Sequence, residues 1–440
     1  TLKQSFSRTR LPTTDRFGGQ LDFNTKPTTL NINMSLSWSS WLATLEPQQS
    51  ALGLLFVVLS LTLAYVSIPG RHDHLPYINR PPKWDFLGQK TKQHFVSNAR
   101  SLMANAREAF KGKPYRMFTD LGDLIVIPAH HADEMRNERS LDFLEAFVDN
   151  FHPNIPGFEG FTFDGRKDQL LHKTINKKIT KMLNEITAPL SLEADFATRL
   201  ILGTSTASTL SQAQKSFDST LIIFATSPAI LFRNADYSEN KLQRHDAFLT
   251  RPQLMEDVRA EIVAVLRKEG WTKSALFNMK LLDSVIKEAQ RLKPTTSATM
   301  NRKATSQVKL PGGLVLEKGD RCMADLGSMV DPNVYPDPLE FDGYRFFRMR
   351  GDPKMDSKAH LVSTSVSHMG FGHGLHACPG RFFASNEVKV LLCHLLHKYD
   401  WKLDSGFEHT IHEFGLSLSS GSTKAFVARR QNVEIDIDAW

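Results

Sequence analysis

Apolar and polar positions follow three patterns along this chain of 440 residues. The first is a plain run: residues 51–68 carry no charge. As a helix, at about 1.5 Å per residue, it would reach ~27 Å, close to the ~30 Å hydrocarbon core of a bilayer. Glu46 precedes it, and Arg71, Arg80, Lys83, Lys90 and Lys92 follow. That asymmetry predicts an N-terminal transmembrane helix with the rest of the chain in the cytosol. A cleaved secretory signal would instead carry its basic flank before the apolar run. The second pattern, a helical period, predicts helices over residues 92–111, 129–135, 255–267, 281–292 and 382–398. The third, alternation between turn residues, predicts strands at 115–117 and 124–126, at 300–304, and at 308–310 and 314–316 around Pro311-Gly312-Gly313. A last hairpin carries Phe414, Leu416 and Leu418. The sum is a mainly α fold with small β-sheets, of the α+β class.

Two stretches resist this periodic reading. Residues 143–163 carry Phe143, Phe147, Phe151, Phe158 and Phe161 among Pro153, Pro156, Gly157 and Gly160. They read as loops that either wall an apolar pocket or plug the core. Residues 168–183 read as a basic helix, with Lys173, Lys177 and Lys181 on one face and Lys178 beside them. The expected organisation is a disordered luminal segment over 1–50, the anchor over 51–68, a proline-stiffened hinge over 69–82, and one globular domain over 83–440. Residues 1–33 are rich in Ser, Thr and basic residues without an amphipathic repeat, and Met34 stands just before the anchor.

Composition narrows the function. A hydrophobic fraction of 41% supports a large core, and three cysteines, Cys322, Cys378 and Cys393, argue against a disulfide framework. The net charge of +7 forms no block suited to nucleic acid. It fits a basic face toward a membrane or an acidic protein.

The chemistry concentrates in His368-Met369-Gly370-Phe371-Gly372-His373-Gly374-Leu375-His376-Ala377-Cys378-Pro379-Gly380-Arg381. Gly372 and Gly374 permit a backbone that approaches a flat ligand closely. Pro379 suits a first helical position, and a helix opening there aims its N-terminal dipole at the sulfur. A thiolate so held is a proximal ligand for heme iron. Two other readings stand beside it: a glycine-rich turn with a buried cysteine, and zinc bound by His368, His373, His376 and Cys378, a set that lacks the usual paired spacing.

At these residues the chain resembles the cytochrome P450 family, whose heme signature is Phe-x-x-Gly-x-x-x-Cys-x-Gly. Phe371, Gly374, Cys378 and Gly380 fill its fixed positions. Glu288-Ala289-Gln290-Arg291 resembles the family's Glu-x-x-Arg, and Arg345 stands where the family places the arginine that closes on that pair. The resemblance implies that Cys378 ligates the iron of heme b with Phe371 packed beside it. His376 and Arg302 would face the propionates, and Glu288, Arg291 and Arg345 would form a structural lock. Thr295, Ser297, Thr299, Phe414 and Leu416 would line the substrate. It implies a cytochrome P450-like fold and a monooxygenase that inserts one atom of dioxygen into a small but bulky apolar substrate. Electrons would come from NADPH through a flavoprotein reductase docked on the basic 168–183 helix, at the endoplasmic reticulum membrane.

The motif wording looks like filamentous-fungal members that tailor secondary metabolites such as terpenoids or alkaloids. The centre departs from the family. Between Pro189 and Arg251 no glycine with an acid–alcohol pair stands. Asp218-Ser219-Thr220 lacks the preceding small residues, and residues 221–232 look like an apolar, membrane-facing helix. No proton-relay residue is assigned, and the central part is shortened. The alternatives are therefore a truncated, catalytically impaired heme-binding remnant and a membrane-anchored zinc protein.

Overall fold

The computed structural model describes residues 53–60, 72–163, 170–203, 211–212, 251–403, 411–420 and 425–439. The chain divides into two units, Thr1–Arg71 and His72–Trp440. In the first, residues 53–60 are helical and exposed. The rest of the expected anchor, and the expected disordered segment over 1–50, lie outside the described residues. Among the described residues no helix is long and apolar enough to cross a membrane. The acid–alcohol stretch 218–220 and the apolar run 221–232 are likewise outside them.

The second unit is built around two cores. A six-stranded sheet has the order β1-β2-β3-β9-β6-β4. Its strands are β1 (Tyr77–Ile78), β2 (Tyr115–Thr119), β3 (Gly122–Ile127), β4 (Leu141–Asp142), β6 (Ala298–Ala304) and β9 (Arg321–Asp325). Small sheets are formed by β5 (Ser211–Gln212) with β10 (Tyr399–Leu403) and β13 (Ala425–Arg429), and by β7 (Val308–Lys309) with β8 (Val315–Leu316). Helix α1 (Gln89–Phe110) lays Phe95, Ala99, Met103 and Ala106 on the six-stranded sheet at helical spacing. In β6 burial alternates strictly, placing Ala298, Met300, Arg302 and Ala304 inward. A register shift lies between Thr299 and Arg302, and Met300 sits at φ 55°. That left-handed residue is the bulge that fixes which face carries Arg302.

The helical core gathers α5 (Leu183–Leu202), α6 (Pro252–Glu269), α7 (Lys273–Asn278), α8 (Lys280–Leu292) and α11 (Arg381–Lys398). Pro252 opens α6, where its missing N–H costs nothing. Val258, Ile262 and Leu266 of α6 meet Leu282, Val285 and Ile286 of α8 and Val390, Leu392 and Leu396 of α11, all buried. Each such side chain contributes roughly 1.5–3 kcal/mol by leaving water. Helix α11 is buried on every side from Val388 to Lys398, so its polar residues need partners. Lys398 Nζ reaches Asp195 at 2.5 Å and Asp438 at 2.6 Å. Asp195, His394 and Asp438 bring ligand atoms within 4.8 Å of one another, but the Lys398 ammonium already pairs with both carboxylates, so the cluster is an ion-pair network.

Two expectations are corrected here. The stretch read as irregular holds a helix, α3 (Phe143–Phe151), capped by the Asp142 carboxylate on Leu144 N and Glu145 N. Phe143, Phe147 and Phe151 stand four apart, so one face of α3 carries all three. The basic helix over 168–183 is broken. A short helix α4 (Leu170–Thr174) passes into a π turn over Ile175–Ile179, and α5 begins at Leu183. The wider turn takes Lys173, Lys177 and Lys181 off a single α-helical face, although all three remain exposed. The remaining short helices are α2 (Ala132–Met135), α9 (Arg345–Met349) and α10 (Asp356–Ala359).

His394 gives a pH prediction. Burial, with the Lys398 ammonium nearby, pushes its imidazole down to about 3, while its Nε2 hydrogen-bonds with the Ser191 hydroxyl at 2.8 Å. The folded value is depressed, so this group's contribution is fully present above its ordinary value near 6.5 and is lost as pH falls toward 3. Denaturant unfolding of wild type and His394→Gln from pH 7 to 4 should show wild type losing up to about 1.4 kcal/mol per pH unit more than the variant. Parallel curves would refute the assignment.

Candidate heme site

The strongest geometric feature behind the cysteine is a buried carboxylate. Glu288, on α8, is 0% exposed. Its Oε2 and Oε1 accept from Arg291 Nε at 2.7 Å and Nη2 at 2.8 Å, and Oε1 also accepts from Arg345 Nε at 3.1 Å and Asp342 N at 3.1 Å. The remaining guanidinium hydrogens go to main-chain carbonyls: Arg291 Nη1 to Met329 and Pro338, Arg345 Nη1 to Pro336. One carboxylate thus bridges two forked cations, and the forks gather the 329–345 segment around it. Both guanidinium groups also lie over the Tyr335 ring, at 4.8 and 5.9 Å, and Tyr335 donates its hydroxyl to Ser367 O at 3.1 Å. The three residues expected to lock together are therefore brought together, and Tyr335 carries their position to the start of the cysteine loop.

The loop itself packs on the same helix. His368 Nε2 lies 3.3 Å from Lys287 O and its ring meets Phe346 edge-on. A Cβ on Gly370 would fall 2.4 Å from the Gln290 side chain, so a larger residue here would have to displace the end of Gln290. Gly372 and Gly374 have φ of 72° and 76°. Gly374 also meets the chain: a Cβ there would fall 2.3 Å from Arg136 Cβ. The glycine expected to clear room for a flat ligand is thus also needed for packing against residue 136. Cys378 N donates to Phe371 O at 2.8 Å, which fixes Phe371 beside the cysteine, and Phe371 packs on the helical core. Cys378 is exposed, while Cys322 and Cys393 are buried; burial pushes the Cys322 thiol up to about 12. The helix after the loop starts at Arg381 with Gly380 as its cap. Pro379 therefore precedes the cap and is not the first helical residue.

Arg302 is the clearest mark of a missing partner. It is 2% exposed, yet its Nε and Nη2 have no hydrogen-bond acceptor. A buried cation with two idle donors is costly. Its Nη1 donates to Asn301 O at 2.8 Å, and burial lowers this guanidinium from its ordinary value although the charge of Asp142 draws it back up. It lies 5.7 Å over the Phe143 ring, and His376 stacks on that same ring at 5.7 Å. His172, 6.3 Å from Phe143, joins them. Burial, then the charges of Arg302 and His172, push His376 down to about 4. Three nitrogen groups therefore converge near an exposed cysteine. This donor set fits the carboxylates of a heme whose iron the sulfur would face.

The zinc set does not assemble. His373 pairs with Asp133 at 2.9 Å, His368 turns to α8 and His376 to Phe143. Among the described residues these four bring no ligand cluster together. Of the expected substrate residues, Ser297 N donates to Leu416 O at 2.8 Å, and Thr296 bridges Ser417. This joins the turn before β6 to the hairpin of β11 (Ile411–Phe414) and β12 (Ser417–Ser420). Thr295 is exposed, Ser297 buried and Thr299 half-buried. Phe414 is 69% exposed, whereas Leu416 packs on the core around Phe95. His172 escaped the sequence reading; the α3 phenylalanines were named as pocket walls or core plugs, but on loops, although their four-residue spacing signalled a helix.

A cysteine loop braced by a glutamate–arginine lock, with an unpaired cation beside it, defines a heme-thiolate protein. The comparisons agree. The family described as Cytochrome P450 matches residues 247–427. Cytochrome P450 monooxygenase eqxH of Fusarium heterosporum is 31% identical over 90% of this chain and 98% of its own. Cytochrome P450 monooxygenase TRI1 of Fusarium sporotrichioides is 29% identical over 80% of this chain and 84% of its own. Among solved structures, the cytochrome P450DA heme domain superposes with a TM-score of 0.53 at 14% identity, covering 81% of this chain and 98% of that one. The chain belongs to the cytochrome P450 family of monooxygenases. The eqxH alignment spans 506 positions, more than the chain's 440 residues, so this chain lacks segments that the relative carries.

Replacing Glu288 by Gln leaves two guanidinium groups buried without a counter-charge, so unfolding stability should fall by about 3–5 kcal/mol. Arg348→Ala, which breaks the exposed pair with Asp342, should cost no more than ~0.5 kcal/mol. Equal denaturation midpoints for the two variants would contradict the lock.

Proposed function

We propose that this protein is a membrane-anchored heme-thiolate monooxygenase with Cys378 as the iron ligand. The observation that carries this reading is the exposed Cys378 in a loop whose neighbour His376 shares the Phe143 ring with the unpaired Arg302. Heme, when bound, supplies activation of dioxygen for insertion of one oxygen atom into a C–H bond. The chain's own part is to hold the thiolate, offer the propionates the Arg302 cation and the neutral His376 N–H, and exclude water with apolar walls. Phe147 stacks on Phe151 at 4.4 Å and Phe151 on Phe161 at 4.9 Å. This aromatic ladder runs from beside His376 toward solvent, and it suits a bulky apolar substrate. With fungal relatives, we assign that substrate to secondary metabolism, of terpenoid or alkaloid type.

Electrons come from NADPH through a flavoprotein reductase. A cleft of about 1850 Å³, lined by Arg136, Lys273, Phe277, Arg381 and Phe382, offers the docking site. Thr180 and Leu183 border it, which brings the exposed Lys177–Lys181 turn to its rim, suited to an acidic partner. The apolar 51–68 segment anchors the enzyme in the endoplasmic reticulum membrane with this unit in the cytosol. A second reading, a heme-binding remnant without turnover, draws on the segments this chain lacks relative to eqxH.

Reduced full-length protein under carbon monoxide should show the family's strongly red-shifted Soret band, and Cys378→Ala should lose it. A histidine-type spectrum, or no heme spectrum, would reject the assignment. Arg302→Gln should weaken heme retention by roughly tenfold, the loss of one charge-assisted hydrogen bond, measured by heme transfer to an acceptor protein. Turnover with reductase and oxygen separates the enzyme from the remnant.

A further inference from the structure

Lys287 lies one residue before the locked Glu288, is 0% exposed, and has no place in the lock. Its Nζ donates to three main-chain carbonyls: Lys358 at 2.9 Å, His360 at 2.6 Å and Ser363 at 3.2 Å. One helical turn earlier, the Asp283 carboxylate accepts from Leu361 N at 2.8 Å and pairs with Arg350 and Lys389. The two side chains therefore clasp opposite hydrogen-bonding faces of one segment, 358–363, which has little regular structure of its own. That segment leads directly into the cysteine loop. It also meets the residue that holds the cysteine: Arg381 Nε donates to Val362 O at 3.2 Å while its Nη1 donates to Cys378 O at 2.9 Å.

We propose that Lys287 is a positioning residue for Cys378, acting through the 358–363 segment and Arg381 rather than through the glutamate–arginine lock. The inference rests on Cys378 being the heme ligand. Burial pushes the Lys287 amine down to about 7, with Asp283 drawing it back up. An ammonium serves all three carbonyls and a neutral amine two of them, so most of the clasp is kept in either state. Without it, three carbonyls are left without this donor, and the segment that seats Arg381 is free to shift.

The test uses full-length, heme-loaded protein: wild type, Lys287→Met and Lys287→Arg, each reduced under carbon monoxide. A merely structural role would lower the yield of loaded protein and leave the spectrum per heme unchanged. The positioning role predicts that Lys287→Met keeps heme but converts from the red-shifted form to the non-thiolate form roughly tenfold faster, as loss of a charged hydrogen-bond donor implies. Lys287→Arg, which keeps donors, should recover most of the difference. A Lys287→Met variant that holds the red-shifted form at the wild-type rate overturns the proposal. Should that variant not fold, hydrogen exchange on wild type decides: 358–363 exchanging as slowly as α8 supports the clasp, and exchange as fast as a free loop overturns it. If wild type itself never shows the red-shifted form, the heme-thiolate assignment falls and takes this inference with it.

Discussion

A carboxylate with no access to water, shared by two arginines, is the constraint from which the rest of this molecule follows. Glu288 can be buried only because Arg291 and Arg345 present forked donors to it. Those arginines are tolerated only because their spare hydrogens find carbonyls at 329, 336 and 338. Removing Glu288 leaves two buried cations uncompensated, and removing either arginine leaves its carbonyls without a donor, so the network holds best as a unit. Its product is positional. It fixes an irregular stretch of chain as a platform whose Tyr335 hydroxyl reaches Ser367 at the start of the cysteine loop.

The site on that platform is defined as much by what is unsatisfied as by what is bonded. Arg302 is turned inward by a bulge at Met300 and ends with two hydrogen-bonding nitrogens lacking acceptors. Protein interiors rarely leave such groups unpaired unless something binds there. The exposed sulfur of Cys378 stands in the same relation to a ligand, while the two other cysteines are buried and inert. A porphyrin carrying two carboxylates and one metal ion answers both needs with a single molecule.

Much of this was legible in the amino-acid order, because the family signature is a set of fixed spacings that serve rigid geometry. Glu288, Arg291, Arg345, Phe371 and Cys378 could be named before any coordinates. Helices with a clear apolar stripe, such as residues 255–267 and 281–292, were found within three residues of their ends. What escaped lacked a local signal or carried a misleading one. Proline and glycine after Phe151 suggested an irregular loop and hid the four-residue spacing of α3. The π turn at 175–179 has no mark in the sequence pattern, and neither do long-range partners such as the carbonyls around Lys287. The role of Gly374 was only partly read, since its close contact with Arg136 depends on residues 238 positions earlier.

A bond between the Cys378 sulfur and a porphyrin iron would unite every feature of this site. X-ray absorption at the iron edge of heme-loaded full-length protein tests it most directly. One sulfur scatterer is expected in the first coordination shell along with the four porphyrin nitrogens. A first shell of nitrogen and oxygen alone, in well-folded wild-type protein, would contradict it.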